Sequence, residues 1–349
     1  MNRPSENAAQ ITRIGAVNWD CSLPSSTYFG KYATRSLSPE IYRDRTPYYA
    51  HLLAPDKIDY PDRTVAEYET EMRYAVEAGI DYFAYCWYDR EPKTEHVTDG
   101  AAAVVDAHVP ELIRARMRHL QSPLREKLHL CAILITCHPY GDAELRALAD
   151  AMRDPGYEKI GGRPLVWLFP GQWQPLIERL RKICRESGAA DPFAVLMTAG
   201  PNAVAPEDAA KVQAISAYAL GANARTWEEL CAANLAANEK RLENGLPCIP
   251  HFPMGWDPGP RILNPVPWCS YAEGPYAPVS SREQLLAGAR EFKAWIADHR
   301  TQCVPGHLLV FAWNEFEEGG WICPTLGADG RPDFARRDAF AEAAAIWRG

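Results

Sequence analysis

Three glutamates crowd one short stretch near the C-terminus of the chain. The segment LLVFAWNEFEEGG, residues 308–320, is uncharged for seven residues and then carries Glu315, Glu317 and Glu318, followed by two glycines. Two carboxyl groups on either side of a bond can serve as an acid and a base, because their like charges raise one pKa; glycoside cleavage uses this arrangement. The i, i+3 spacing of Glu315 and Glu318 lets the two side chains approach each other at a bend. Taken without its neighbours, the segment favours a solvated acidic turn; its place at the end of an apolar run, beside Trp313 and Asn314, reverses that preference.

The segments that must position these carboxylates begin with eight short apolar runs, each bounded by turn residues. The runs are rich in β-favouring residues and too continuous for half-exposed strands, so they indicate strands that are buried on both faces. The acidic segment follows the last of them. The runs cover residues 14–19, 81–88, 128–136, 164–169, 193–198, 214–219, 247–252 and 307–314.

Stretches with helical spacing separate most of these runs, as in 64–79, where apolar residues recur every three or four positions. Strands that alternate with helices pair in parallel, and eight such units favour one α/β domain over 1–349, a (β/α)8 TIM barrel with 1–12 as an N-terminal extension. The alternative is an open doubly wound sheet, which the strand count and the absence of GxGxxG after the first strand disfavour. Further helices are predicted at about 101–119, 143–153, 174–187, 226–244 and 281–298.

Two long segments follow the first and seventh runs, at 20–63 and 254–276. Loops of this length inside compact domains are usually functional. The many rings and prolines of 20–63 predict an ordered wall over a cleft. We expect its arginines to pair with neighbouring acids in preference to binding an acidic sugar. These arginines are Arg35, Arg43 and Arg45, and the expected partners are Glu40 and Asp44.

In a barrel of this kind the active site forms at the C-terminal ends of the strands. The residues there combine aromatic rings with carboxylates, amides and one arginine, which suits a sugar, because rings pack on its C–H face and polar groups bind its hydroxyls. For any single aromatic residue, core packing is an equally good interpretation, and an Asp257–Arg261 ion pair could simply brace its loop. The predicted substrate-binding residues are Asp20, Tyr85, Trp87, Tyr88, His138, Tyr218, Trp256, Asp257, Arg261, Trp313 and Asn314.

Three motifs carry a resemblance to a known family. WNEFEEG (313–319) resembles the W-N-E-W-x-E-G segment of glycoside hydrolase family 99, the endo-α-mannosidase family, and of the related WbsX-like proteins. GWDPGPR (255–261) is similar to their G-[WF]-D-x-x-P-R loop, and AGIDYFAYCWYD (78–89) to their second strand. The likeness is most specific in the last hundred residues, whereas the first-strand loop departs from the WbsX-like pattern.

The resemblance implies a role for each glutamate. Glu315 would be the base that acts on the 2-hydroxyl of the sugar, and Glu318 the general acid/base, so that retention proceeds through a 1,2-anhydro sugar. Phe316 stands where the family has tryptophan. Glu317 occupies the variable position, and we expect it to face solvent. The expected activity is cleavage of an α-linked mannose-type or related residue in an oligo- or polysaccharide, without a metal or an organic cofactor.

Two rival functions remain open. A WbsX-like glycosyltransferase would need a site for a nucleotide diphosphate, and the sequence contains neither a DxD motif nor a phosphate loop. A non-catalytic carbohydrate-binding barrel would not require both Glu315 and Glu318, because binding alone needs no close acid pair.

Composition excludes several other classes of function. The net charge is −8 and the basic residues are scattered, so nucleic acid is not an expected partner. The ten cysteines form no CxxC pair, which argues against a zinc site or a redox dithiol. The N-terminus lacks the apolar core of a secretory signal, and no run is long enough to span a membrane. We therefore expect a cytoplasmic protein, or a periplasmic or secreted one if a leader has been removed; no pattern indicates an oligomeric state.

Overall fold

A computed structural model of the chain describes residues 10–19, 22–88, 90–92, 105–108, 110–136, 138–198, 204–221 and 223–349. Among these residues, no helix has the length and apolar character needed to cross a membrane. Nor does any group of three or more His, Cys, Asp or Glu side chains in the described part of the chain have an arrangement suited to a metal ion.

Eight parallel strands form the barrel, and each neighbours the next one along the chain. The ring is completed by β1 with β8, where Arg13 pairs with His307, and by a bridge between β6 and the segment before β7, where Ile249 N donates to Ile215 O over 2.9 Å. The predicted (β/α)8 barrel is confirmed. The strands are β1 Arg13–Asn18, β2 Tyr82–Trp87, β3 His129–Leu134, β4 Arg163–Leu168, β5 Phe193–Met197, β6 Ala214–Ser216, β7 His251–Pro253 and β8 His307–Phe311.

Ten helices are present in the described chain, and most of them cover the outside of the barrel. Side-chain caps fix several starts: Thr64 and Ser281 form capping boxes for α2 and α9, and Thr226 caps α7. The helices are α1 Tyr28–Leu37, α2 Val65–Glu77, α3 Pro110–Gln121, α4 Asp142–Ala151, α5 Trp173–Ser187, α6 Pro206–Ala209, α7 Trp227–Leu242, α8 Gly259–Leu263, α9 Arg282–Asp298 and α10 Ala335–Arg348.

Several boundaries differ from the sequence prediction. The helix predicted at 101–119 begins only at Pro110, and residues 105–108 are a strand; proline is favoured at the first turn because its missing N–H would have no helical partner there. The seventh strand begins at His251, since the prolines of the predicted run 247–252 cannot donate to a sheet. Helices α1, α6, α8 and α10 lie outside the predicted helical stretches.

Short hairpins and 3-10 turns complete the chain. The segment after β1 contains α1, a 3-10 helix and a hairpin. It is therefore ordered, as its aromatic rings and prolines predict. The two-stranded pairs are His51–Ala54 with Lys57–Asp59, Arg90–Pro92 with Val105–His108, Asn314–Glu315 with Gly320–Trp321, and Thr325–Leu326 with Pro332–Asp333; Lys159–Ile160 pairs with β4, and the 3-10 helices are Glu40–Arg45, Pro123–Glu126 and Phe316–Glu318.

A charged cluster lies where the barrel strands begin. Arg13 Nε donates to Glu158 Oε1 over 2.9 Å, and His129 Nδ1 lies 2.8 Å from Glu158 Oε2. Arg348 Nη2 donates to Asp81 Oδ2 over 2.6 Å, and this oxygen also accepts the backbone N–H of Ile14. Burial raises the pKa of Glu158, but contacts with His129 and Arg13 outweigh it, so the net pKa is lowered. We call Arg13, Asp81, His129, Glu158 and Arg348 the lower cluster.

Candidate active site

The three glutamates lie in a tight turn directly after β8. Asn314–Glu315 pairs with Gly320–Trp321, and Phe316–Glu318 forms the 3-10 turn between them. Glu315, Glu317 and Glu318 are 2%, 0% and 5% exposed. A solvated acidic turn is therefore wrong, and so is the expectation that Glu317 faces solvent. Burial of three carboxylates is costly unless cations or hydrogen-bond donors compensate for it.

The loop after β7 brings the compensating cation to this turn, because the backbone of the loop packs directly against the backbone of the turn. Asp257 N donates to Glu318 O over 2.7 Å. The approach requires glycines: a Cβ on Gly255 would lie 2.1 Å from Gly319 O, and Gly319 has a φ of +76°. The contact places the short helix α8, with Arg261, against the glutamates.

Arg261 contacts each of the three glutamates through a different nitrogen atom. Its Nη1 donates to Glu318 Oε1, its Nη2 donates to Glu315 Oε2 over 3.2 Å, and its Nε lies 3.5 Å from Glu317 Oε1. The guanidinium is also 4.9 Å from the centre of the Trp19 ring. Burial lowers the pKa of Arg261, but the charges of Glu318 and Glu317 raise it by more than burial lowers it. The net pKa is well above the usual value, so the side chain remains charged.

Two tyrosines add neutral donors. Tyr218 Oη donates to Glu315 Oε1 over 2.9 Å, and Tyr271 Oη donates to Glu318 Oε1. Burial raises the pKa of both phenols, which keeps them protonated. Tyr218 is a predicted site residue. Tyr271 is not predicted, because it lies in the long irregular segment after β7, where no periodicity indicates which ring turns inward.

Negative charge is in excess at this site. Among the described residues, three glutamates surround one guanidinium, and Tyr218 and Tyr271 are neutral. Burial and then the charge of Glu318 raise the pKa of Glu315 well above its usual value, and Arg261 offsets only part of this. The raised pKa favours the protonated form of Glu315, so the two carboxyl groups can supply both an acid and a base.

Aromatic rings flank the pair on the side of the first strand. The Trp19 and Trp268 ring centres are 5.1 Å apart, and Phe29 lies 5.3 Å from Trp268. Trp19 Nε1 donates to Tyr88 Oη over 2.9 Å, which brings the predicted residue Tyr88 into the same group. We call Trp19, Phe29, Tyr88 and Trp268 the aromatic wall. Trp268 and Trp19 are not among the predicted binding residues; only the position of Trp19 at a strand end could have indicated it.

Tyr85 and Trp87 of β2 turn away from the pair, toward α3. Tyr85 Oη lies 3.3 Å from His119 Nδ1 on α3, and the Trp87 ring is 5.4 Å from the Arg116 guanidinium on the same helix. Side chains alternate along a strand, and it is Cys86, between them, whose Sγ lies 3.7 Å from Tyr218 Oη. The prediction that Tyr85 and Trp87 line the sugar pocket is therefore wrong.

Trp313 and Asn314 support the site from within the core. Trp313 is fully buried and donates from Nε1 to Glu71 Oε1 over 2.8 Å. Asn314, also fully buried, accepts from Trp19 N over 2.9 Å and donates to Trp19 O over 2.7 Å. They leave no surface for a ligand, so their predicted role in direct binding is wrong. Instead, they fix the turn after β8 to α2 and to the end of β1.

The other predicted residues have mixed positions. His138 is buried, with Nε2 2.8 Å from Glu144 Oε1 and its ring centre 6.0 Å from that of Tyr88. Trp256 is half-buried, with its ring centre 6.0 Å from that of Tyr271. Asp20 lies outside the described residues.

Asp257 pairs with Arg45, which also donates to Asp257 O over 2.9 Å. The Asp257–Arg261 pair is therefore wrong, as is the pairing of Arg45 with Glu40 or Asp44. Arg35 and Arg43 donate to the backbone oxygens of Pro265 and Pro55.

Comparison with known proteins supports the architecture. No family model matches the sequence, and no curated protein matches it. Two solved structures of the family 99 endo-α-mannosidase from Bacteroides thetaiotaomicron, one of them in complex with bis-tris-propane, align with 96% of this chain at a TM-score of 0.54 and 11% identity. The alignment covers 95% and 96% of those chains. The fold that the motifs led us to expect, that of family 99 glycoside hydrolases, is thus shown over nearly the whole chain.

Proposed function

We propose that this protein is a retaining glycoside hydrolase that cleaves an α-linked mannose-type or related residue of an oligo- or polysaccharide. The observation that carries the proposal is the buried Glu315–Glu318 pair, bridged by Arg261 at the mouth of the barrel. Two carboxyl groups sharing one proton beside aromatic rings are what glycoside cleavage requires. The fold shared with endo-α-mannosidase structures supports the same reaction class.

We assign the two carboxyls as the family resemblance implies. In the first step Glu315 removes the proton of the 2-hydroxyl, O2 attacks C1, and Glu318 protonates the leaving oxygen as the C1–O bond breaks. The product is a 1,2-anhydro sugar. In the second step water attacks C1 as the C1–O2 bond breaks, Glu318 takes a proton from that water, and Glu315 returns its proton to O2. Two inversions at C1 give net retention.

These roles require the shared proton to change position. In the free protein the raised pKa of Glu315 favours its protonated form, whereas Glu318 accepts hydrogen bonds from Arg261 and Tyr271. Entry of the sugar must therefore move the proton to Glu318. Tyr218 and the Arg261 Nη2 remain as donors that stabilise the ionised Glu315.

The test is hydrolysis of a panel of α-mannose-type oligosaccharides, with the anomeric configuration of the first-formed product read by NMR. We expect release of a product with retained configuration, and loss of activity in the Glu315→Gln, Glu318→Gln double variant. Failure of the native protein to cleave any member of the panel contradicts the proposed substrate class. Near-native hydrolysis by the double variant contradicts the site.

Leaving-group dependence tests the division of roles. Glu318→Gln should impair poor leaving groups most and activated aryl glycosides least, whereas Glu315→Gln should impair both alike. The opposite pattern would exchange the two roles. A covalent adduct on Glu315 after reaction with a 2-fluoro glycoside, detected by mass spectrometry, would rule out the anhydro-sugar route.

A further inference from the structure

Glu317 has no part in the reaction steps, although it is the most deeply buried of the three glutamates, with 0% exposure. It lies between the two reacting residues in the 3-10 turn Phe316–Glu318. Its Oε1 is 3.5 Å from Arg261 Nε, the nitrogen on the side of the guanidinium away from the two terminal nitrogens that contact the pair. A buried carboxylate at this position acts on the pair through Arg261.

We propose that Glu317 is a positioning residue: it fixes the Arg261 guanidinium so that the terminal nitrogens face Glu315 and Glu318, and its charge keeps the shared proton on the pair. The inference rests on the proposed function. A guanidinium is planar and its nitrogens have fixed directions, so the ion pair at Nε, although it is not a hydrogen bond, favours the orientation in which both terminal nitrogens face the pair. Without this contact the side chain could rotate toward the Trp19 and Trp268 rings, which lie 4.9 and 5.9 Å from its central carbon.

The charge argument follows from the groups that face the pair. Among the described residues that face the pair, Arg261 is the cation, and Glu317 is a third carboxylate beside it. The neutral groups are Tyr218, Tyr271 and Cys269, whose Sγ lies 3.8 Å from Arg261 Nη1 and whose pKa burial raises to about 11. An ionised Glu317 offsets much of the Arg261 charge, and its repulsion contributes to the raised pKa of Glu315.

Two substitutions separate these effects. Glu317→Gln keeps the size of the side chain beside Arg261 Nε but removes the charge, so the pKa of Glu315 should fall. We expect the pH–rate profile to shift toward acid by about one unit, with kcat at the optimum within a few-fold of native. Glu317→Ala loses the contact, and kcat should fall at least tenfold at every pH while KM changes less. Glu317→Asp should recover part of that loss.

Glu158 offers a matched control, because it is 2% exposed and pairs with Arg13, but it belongs to the lower cluster at the opposite end of the barrel. Glu158→Gln should lower the thermal midpoint without moving the pH optimum. An unchanged pH profile in Glu317→Gln together with native kcat in Glu317→Asp would overturn the inference. If Glu317→Ala does not fold, these two variants still decide it.

A second readout does not depend on activity. The infrared band of a protonated carboxyl group that disappears in Glu315→Gln reports the titration of Glu315 directly. In Glu317→Gln the midpoint of that band should move to lower pH. If the native protein cleaves no glycoside but this midpoint moves, the proposed function fails and the positioning role stands. If the native protein is active and the midpoint stays, the positioning role alone fails.

Discussion

The two ends of the barrel both carry buried carboxylates beside arginine, but the balance of charge differs. In the lower cluster, Asp81 and Glu158 are matched by Arg13, Arg348 and His129, and the net pKa of Glu158 is lowered. In the upper cluster three glutamates surround Arg261, and the pKa of Glu315 is raised. Matched charges favour the folded state, whereas an excess of like charge opposes it and supplies a proton for chemistry.

The largest expected effect tests the upper cluster. Glu318→Gln should lower kcat for an unactivated glycoside by about 10²–10⁴-fold, because it removes general acid–base assistance. The thermal midpoint should stay the same or rise, since a like charge beside Glu315 and Glu317 is removed. Parallel measurement of kcat and thermal unfolding checks both. A marked fall in the midpoint would mean that the upper cluster stabilises the fold as the lower one does, and the contrast between the ends would disappear.

Glu158→Gln is the corresponding change in the lower cluster. It leaves Arg13 and His129 without their shared carboxylate, and we expect a loss of about 3 kcal/mol in the free energy of unfolding, the low end for a buried ion pair because Arg13 is partly exposed. Chemical denaturation measures this loss. Activity per folded molecule should not change. A fall in kcat comparable with that of Glu318→Gln would show that the two ends are coupled.

The strands of the barrel are within reach of sequence reasoning. Continuous apolar runs bounded by turn residues identify all eight strands, because a strand buried on both faces cannot be polar. The pair Glu315 and Glu318 is indicated by its spacing and its place after the last run. Each of these signals is local: it depends on residues that are close together in the sequence.

The parts that could not be predicted depend on distant contacts. Glu317 is buried because the loop after β7 brings Arg261 to it, and no local pattern reveals that approach. Tyr271 and Trp268 are single rings in an irregular segment, whose directions follow from loop closure. Tyr85 and Trp87 were assigned to the wrong side of β2, because an apolar run buried on both faces does not show which alternate residues point inward.

The dependence of stability on pH should have opposite signs at the two ends. Glu158 has a lowered pKa in the folded state, so its contribution is present above its unfolded pKa and is lost as pH falls through the folded value. Glu315 has a raised pKa in the folded state. It therefore destabilises the folded protein least when the pH is below its pKa in the unfolded chain, and it destabilises the fold more as the pH rises from that pKa toward its pKa in the folded state.

Differences between variant and native unfolding free energies isolate these two contributions. The loss of unfolding free energy in Glu158→Gln should become smaller below about pH 4.3. Any gain of unfolding free energy in Glu315→Gln should become larger as the pH rises above about 4.3. Taking differences cancels the buried histidines His119 and His251, whose pKa values burial lowers to about 4 and about 3. Two difference curves with the same sign of slope would contradict the assignment of charge balance.

The smallest expected effect tests whether the role of a carboxylate is decided by the balance of charge around it or by its location in the barrel. Asp257 lies at the same end as the upper cluster, but it is matched by Arg45, and its Oδ1 accepts the backbone N–H of Gly259 at the start of α8 over 3.0 Å. If charge balance decides the role of a carboxylate, Asp257→Asn should behave like a mild version of Glu158→Gln. The side chain of Asp257 is 25% exposed, so we expect a loss of about 1 kcal/mol in unfolding free energy. Because α8 carries Arg261, KM should rise a few-fold while kcat stays near native.

Glu342→Gln, which breaks the exposed pair with Arg282, is the control and should change neither quantity. A fall in kcat approaching that of Glu318→Gln would mean that position at the mouth of the barrel, rather than an excess of negative charge, makes a carboxylate essential.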